Sequence, residues 1–129
     1  MIVDPSGMLA QLLDAAIAER LASMHVAFPC KVISFNEDLG TAVVQPLFQF
    51  TDETPSPIQN VPVTGRKYRT DNGVIKRERH IVEAGDIVYV TCSDRQLKGA
   101  VAREITTPSS SRSHDKNDAV IVGVLPCSL

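Results

Sequence analysis

The sequence predicts a mainly β fold: a small closed or partly closed barrel of five to six strands with one N-terminal α-helix. Two observations carry this. Apolar residues recur at helical spacing up to about residue 27 and alternate with period two after Phe28. The alternating runs are short, and turn-forming residues separate them, as in small barrels. The chain divides into residues 1-27, an amphipathic helix, and 28-129, the barrel domain.

The helix is predicted over the first 25 residues. Asp4 caps it and Pro5 takes the first helical position, where a missing N–H costs nothing. Leu9, Leu13, Ile17 and Leu21 recur every four residues, and Met8, Leu12, Ala16 and Met24 widen the stripe. Gln11, Asp14, Ala18 and Ser23 occupy the other side. A heptad seam fits badly, because Glu19 or Arg20 soon falls at a core position. The helix is therefore expected to pack on a globular surface, and Phe28-Pro29 to end it.

Strands follow. Cys30 opens a region where Lys31–Phe35 alternates, Asn36–Gly40 turns, and Thr41–Phe50 forms a second strand with Pro46 at an edge or bulge. Thr51–Pro57 is a proline-rich loop and Ile58–Val63 a third strand. Tyr68–Lys76 reads as a projecting hairpin whose Asn72-Gly73 fits a type I′ turn. Glu83–Asp86 is a turn, Ile87–Cys92 the most strongly buried strand, Thr106–Ser113 a serine-rich loop, and Ala119–Val124 the last strand.

Composition excludes several classes. At 129 residues the chain fits one domain with a real core. A net charge of −2 does not draw the whole protein toward nucleic acid or anionic lipid. Cys30, Cys92 and Cys127 are an odd number without a CxxC pair, so they suit neither disulfides nor zinc and read as small hydrophobes in or near strands. Asp14, Glu19 and Arg20 interrupt the longest apolar run, so no stable membrane insertion is expected. Asp4 stands where a signal peptide would be basic, so none is expected.

No catalytic or metal site is expected. His25 ends the helix, where a cation suits the dipole, and His80 follows a basic run. Ser113-His114-Asp115 names triad residues, but neighbours in sequence cannot form the relay, so a turn cluster is expected. Asp115-Lys116-Asn117-Asp118 lacks the ligand density and glycine of a calcium loop and is read as a turn. No cofactor motif occurs.

The basic hairpin is the main candidate surface. Arg66, Lys67, Arg69, Lys76, Arg77 and Arg79 lie within fourteen residues, against Asp71 and Glu78. Three readings stay open: a solvated hairpin, contact with an acidic protein partner, or single-stranded nucleic acid bound by residues 66-79 with Tyr68 stacking. Tyr68 is the only aromatic there, where stacking platforms use two or three. A second candidate is the helix stripe of Leu9, Leu13, Ile17, Leu21 and Met24, wider than one small barrel needs and so expected to meet a neighbouring subunit.

Several segments occur in a familiar order. Residues 21–32 lead from the helix into the first strand. Thr41-Ala42-Val43-Val44-Gln45-Pro46 is close to a "TADVQP" strand, and Val61-Pro62-Val63 follows. Glu83-Ala84-Gly85-Asp86-Ile87-Val88 is like a "PGD.G" turn, with Ser93-Asp94-Arg95 after its strand. Arg112–Ala119 is like "R.HD..DA", before a strand and a Leu-Pro stop. Over residues 20–126 this resembles the N-terminal OB-fold (oligosaccharide/oligonucleotide-binding) domain of central spike proteins in contractile phage tails. The basic hairpin replaces that family's glycine-rich stretch.

The resemblance implies an OB-fold-like barrel that trimerises on the tail axis, in a virion made in the host bacterial cytoplasm. It implies a structural hub adaptor, not an enzyme. Its partners would be two further copies of itself, tail tube or hub proteins above, and a spike-tip protein below. That tip is expected to be another protein or to be absent, since nothing up to Leu129 could form an intertwined β-helix. Nucleic acid is not an expected partner.

Overall fold

The computed structural model describes residues 5–49, 52–103, 105 and 113–129. Helix α1 (Pro5–Ser23) leads to β1 (Ala27–Asn36), β2 (Thr41–Pro46) and β3 (Ile58–Pro62). A separate hairpin, β4 (Gly65–Arg69) and β5 (Ile75–Arg79), comes next. Then come β6 (Ile87–Cys92), a short helix α2 (Lys98–Val101) and β7 (Ala119–Val124).

Five strands form one curled antiparallel sheet, in the order β3-β2-β1-β6-β7. Its curl comes from β1, which serves both halves. Ala27–Lys31 pairs with β6, while Cys30–Asn36 pairs with β2. A bulge between Val32 and Ser34 bends the strand where it changes partners. The Glu83–Asp86 turn fills the place beside it: Gly85 donates to Val32 O and Val32 to Asp86 O, both at 2.8 Å. Gly85 has φ +96°, which suits glycine.

The two outer strands meet. Val63 and Ile121 form a parallel bridge, and Thr64 donates to Ile121 O through its N–H at 3.2 Å and its hydroxyl at 3.1 Å. The result is a half-barrel, the mainly β fold with one N-terminal helix that the sequence predicts. Its core is a narrow column of Phe28, Cys30, Val32, Val44, Ile58, Val61, Val88, Val90 and Ile121 with their neighbours. Burying each large aliphatic residue contributes about 1.5–3 kcal/mol.

Several details differ from the sequence reading. The helix ends at Ser23, earlier than Phe28-Pro29, because Ala27, Phe28 and Pro29 are drawn into pairing with Thr91, Val90 and Tyr89. The second strand stops at Pro46. The β3 ladder beside it ends at the Val44–Ile58 pair, so proline lies past its last partner. The hairpin turn is not type I′. Gly73 N–H donates to Thr70 O at 2.9 Å, Thr70 pairs with Val74, and only Gly73 has positive φ. That is a three-residue loop closing on a left-handed glycine. Ile87–Cys92 is a core strand as expected, with Val88, Val90 and Cys92 inward and Tyr89 outward. The Asp4 cap, the end of the predicted second strand at Phe50, and residues 106–112 of the serine-rich loop lie outside the described residues.

Candidate functional site

The hairpin is exposed along both strands apart from half-buried Glu78, and its register sorts its charges. Arg66 faces Glu78, Lys67 faces Arg77, Tyr68 faces Lys76, and Arg69 faces Ile75. Side chains alternate between the two faces of a strand, so directly paired residues share a face. One face therefore holds Arg66, Tyr68, Lys76 and Glu78. The other holds Lys67, Arg69, Arg77, Arg79 and Ile75.

On the first face Arg66, Tyr68 and Glu78 satisfy one another, and Lys76 stands opposite Tyr68 with no acid within ion-pair distance among the described residues. Arg66 Nε donates to Glu78 Oε2 at 2.5 Å, and its guanidinium lies 4.8 Å from the Tyr68 ring centroid. Tyr68 OH reaches Glu78 Oε1 at 3.3 Å. The hydrogen bond from Arg66 holds the Glu78 carboxyl below its ordinary range, and the same bond raises Arg66.

The second face has four cations and no carboxylate. Among the described residues, none of Lys67, Arg69, Arg77 and Arg79 is within ion-pair distance of an acid. Lys67 and Arg77 are like charges placed directly opposite, an arrangement that weakens a strand pair. The six basic residues named from sequence thus split into two groups. Tyr68 is turned away from the four cations of the second face and covered by Arg66. At the hairpin root, a Cβ on Gly65 would lie 2.5 Å from Glu78 O, so only glycine fits there.

The helix is the second surface, and here an expectation fails. It does not pack on the barrel: no residue of Pro5–Ser23 is buried. Met8, Leu9, Leu12, Leu13, Ile17, Leu21 and Met24 are 41–66% exposed. Nor is it cleanly amphipathic. A spacing of four residues advances about 40° per step at 3.6 residues per turn, so Leu9, Leu13, Ile17 and Leu21 wind partway around the helix. Arg20 falls inside that band, and Glu19 falls between Met8 and Leu12.

The joint between helix and barrel is specific. His25 lies beyond the helix end, not in its last turn. Its ring lies 6.0 Å from both Phe28 and Phe48, which pack edge to face at 4.9 Å. His25 N–H donates to His114 O at 2.9 Å, and Cys92 N–H to Val26 O at 2.8 Å. The sequence reading missed this cluster, since Phe48 joins it only through the fold.

Ser113-His114-Asp115 is a turn, with His114 at φ +49°. Ser113 Oγ and His114 Nε2 both approach Asp94 Oδ1, at 3.3 and 3.4 Å, while Asp115 Oδ1 accepts from Asn117 N–H at 2.8 Å. Asp94 organises this cluster from the end of β6. No family model and no curated protein matches the chain.

The cysteines divide. Cys30 and Cys92 are buried in β1 and β6, whereas Cys127 is exposed. Burial, and secondarily Cys92, pushes the Cys30 thiol up to about 12. Burial, and secondarily Asp115 and Asp118, raises Cys92 to about 11. Both are neutral at pH 7 and weakly nucleophilic. A groove of about 630 Å³ between the β1–β2 turn and the hairpin root is lined by Glu37, Asp38, Arg79 and His80 among others, with no Ser, Thr, Cys or Lys. Among the described residues, no helix is long and apolar enough to cross a membrane.

Proposed function

We propose that this chain is a non-enzymatic structural component of a phage tail baseplate, a hub adaptor on the tail axis that assembles as a homotrimer. It joins tail tube or hub proteins above to a spike-tip protein below. The observation that carries the reading is the bare helix: six large apolar residues on α1, with Met24 just past its end, and none of them buried by the described residues of the barrel. An exposed apolar surface of that extent is the mark of an assembly contact. An axial position favours closed cyclic symmetry. The ordered segments of residues 20–126, on an OB-fold-like half-barrel, support the tail assignment, and the cationic hairpin face suits an acidic neighbour.

The test is reconstitution. The chain should co-purify at fixed stoichiometry with the tail-tube and spike-tip proteins of the phage that encodes it. Failure to join either one would reject the connector role.

One observation favours a second reading, single-stranded nucleic acid: four unpaired cations project from a barrel of the OB-fold type. Against it, Tyr68 stands on the opposite face beneath Arg66. Titration of a labelled oligonucleotide near physiological salt should give binding no tighter than ~10⁻⁵ M. Submicromolar binding would favour this second reading.

A further inference from the structure

We infer that the cationic hairpin face of Lys67, Arg69, Arg77 and Arg79 docks on the acidic body of a second copy of this chain. This rests on the reading of the chain as self-associating, and it names the acidic neighbour. Charge is the first argument. Residues 65–79 hold six of the thirteen basic residues and two of the fifteen acidic ones. The hairpin therefore carries net +4 and the rest of the chain net −6. The chain is its own electrostatic complement, divided at the hairpin root.

Geometry is the second argument. The hairpin forms a two-stranded sheet of its own, outside the barrel sheet. Of its two faces, one pairs Arg66 with Glu78 beside Tyr68 and keeps a single uncompensated cation, Lys76. The other sets Lys67 against Arg77 and, among the described residues, brings no acid within ion-pair distance of its four cations, although Arg79 lines a groove with Glu37 and Asp38. A carboxylate from outside would relieve that repulsion. Exposed acids are available on the body, including the adjacent Glu37 and Asp38 of the β1–β2 turn. A contact between hairpin and body is head-to-tail, the kind that closes into a ring when the rotation allows.

The test is light scattering on the full chain across concentration, in 0.1 M and ~1 M salt, where the screening length falls from about 10 Å to 3 Å. Lys67→Glu and Lys76→Glu make the same change in net charge on opposite faces of one exposed hairpin. The expected result is dissociation at least tenfold easier for Lys67→Glu, a shift below threefold for Lys76→Glu, and a wild-type assembly weakened at high salt. Equal behaviour of the two variants overturns the inference, while a surviving trimer leaves the trimer reading intact. A salt-sensitive dimer lost in Lys67→Glu supports the inference and rejects the trimer. A wild-type monomer under all conditions rejects both. Submicromolar oligonucleotide binding lost in Lys67→Glu assigns this face to nucleic acid and overturns the inference.

Discussion

Lys67 stands directly opposite Arg77 on a hairpin face that holds no carboxylate. The pairing destabilises the hairpin it belongs to. Arg77→Glu converts it to an attractive pair. Amide exchange in β4 should slow in that variant at low ionic strength, and the difference should shrink at high salt. Exchange as fast as in the wild type would mean the two side chains do not share a face.

Gly65 marks the root of the same hairpin. Gly65→Ala would press a methyl against the Glu78 carbonyl, so the backbone must move. Local opening of β4 and β5 should become easier by about 1–3 kcal/mol. The barrel core should keep its protection, since Gly65 lies outside its sheet. Amide exchange by NMR separates the two regions.

Ile121 is 1% exposed and joins β7 to the chain after β3. Ile121→Ala should cost about 2–5 kcal/mol in denaturant unfolding. Val122→Ala, on the same strand but 46% exposed, should cost far less. Equal costs would contradict a core centred on that column.

The thiols give a chemical test. In native protein only Cys127 should react promptly with a thiol reagent at pH 8, with Cys30 and Cys92 reacting after unfolding. The pH effect follows in sign. The unfolded thiols ionise near 9.0, but the folded ones hold their protons to about 12 and about 11. Stability is therefore full below pH 9 and falls as pH rises above it. Cys30→Ala should flatten the alkaline decline, at the cost of a small cavity.

The parts of this fold that could be read from sequence are those set by local pattern. Ile87–Cys92 and Ala119–Val124 match the predicted strands residue for residue because each is a short Val- and Ile-rich run set off by turn-forming residues. Bounds set by pairing were not legible. The start of β1 at Ala27 depends on β6, sixty residues away. The hairpin was visible as a basic run, but the division of its faces required the register across its turn. The helix misled most, because a four-residue spacing looks like one face and winds off it.

Association through the helix is the claim on which the account depends most. The most direct measurement is the solution mass of the wild-type chain by light scattering at micromolar to high micromolar concentration, beside a Leu13→Asp/Ile17→Asp variant. Both sites are more than half exposed, so the variant should fold, with an intact barrel by circular dichroism. The account predicts three times 14.0 kDa for the wild type and a smaller mass for the variant. A monomeric wild type at high micromolar concentration, or a trimer untouched by two charges in the helix, would contradict it.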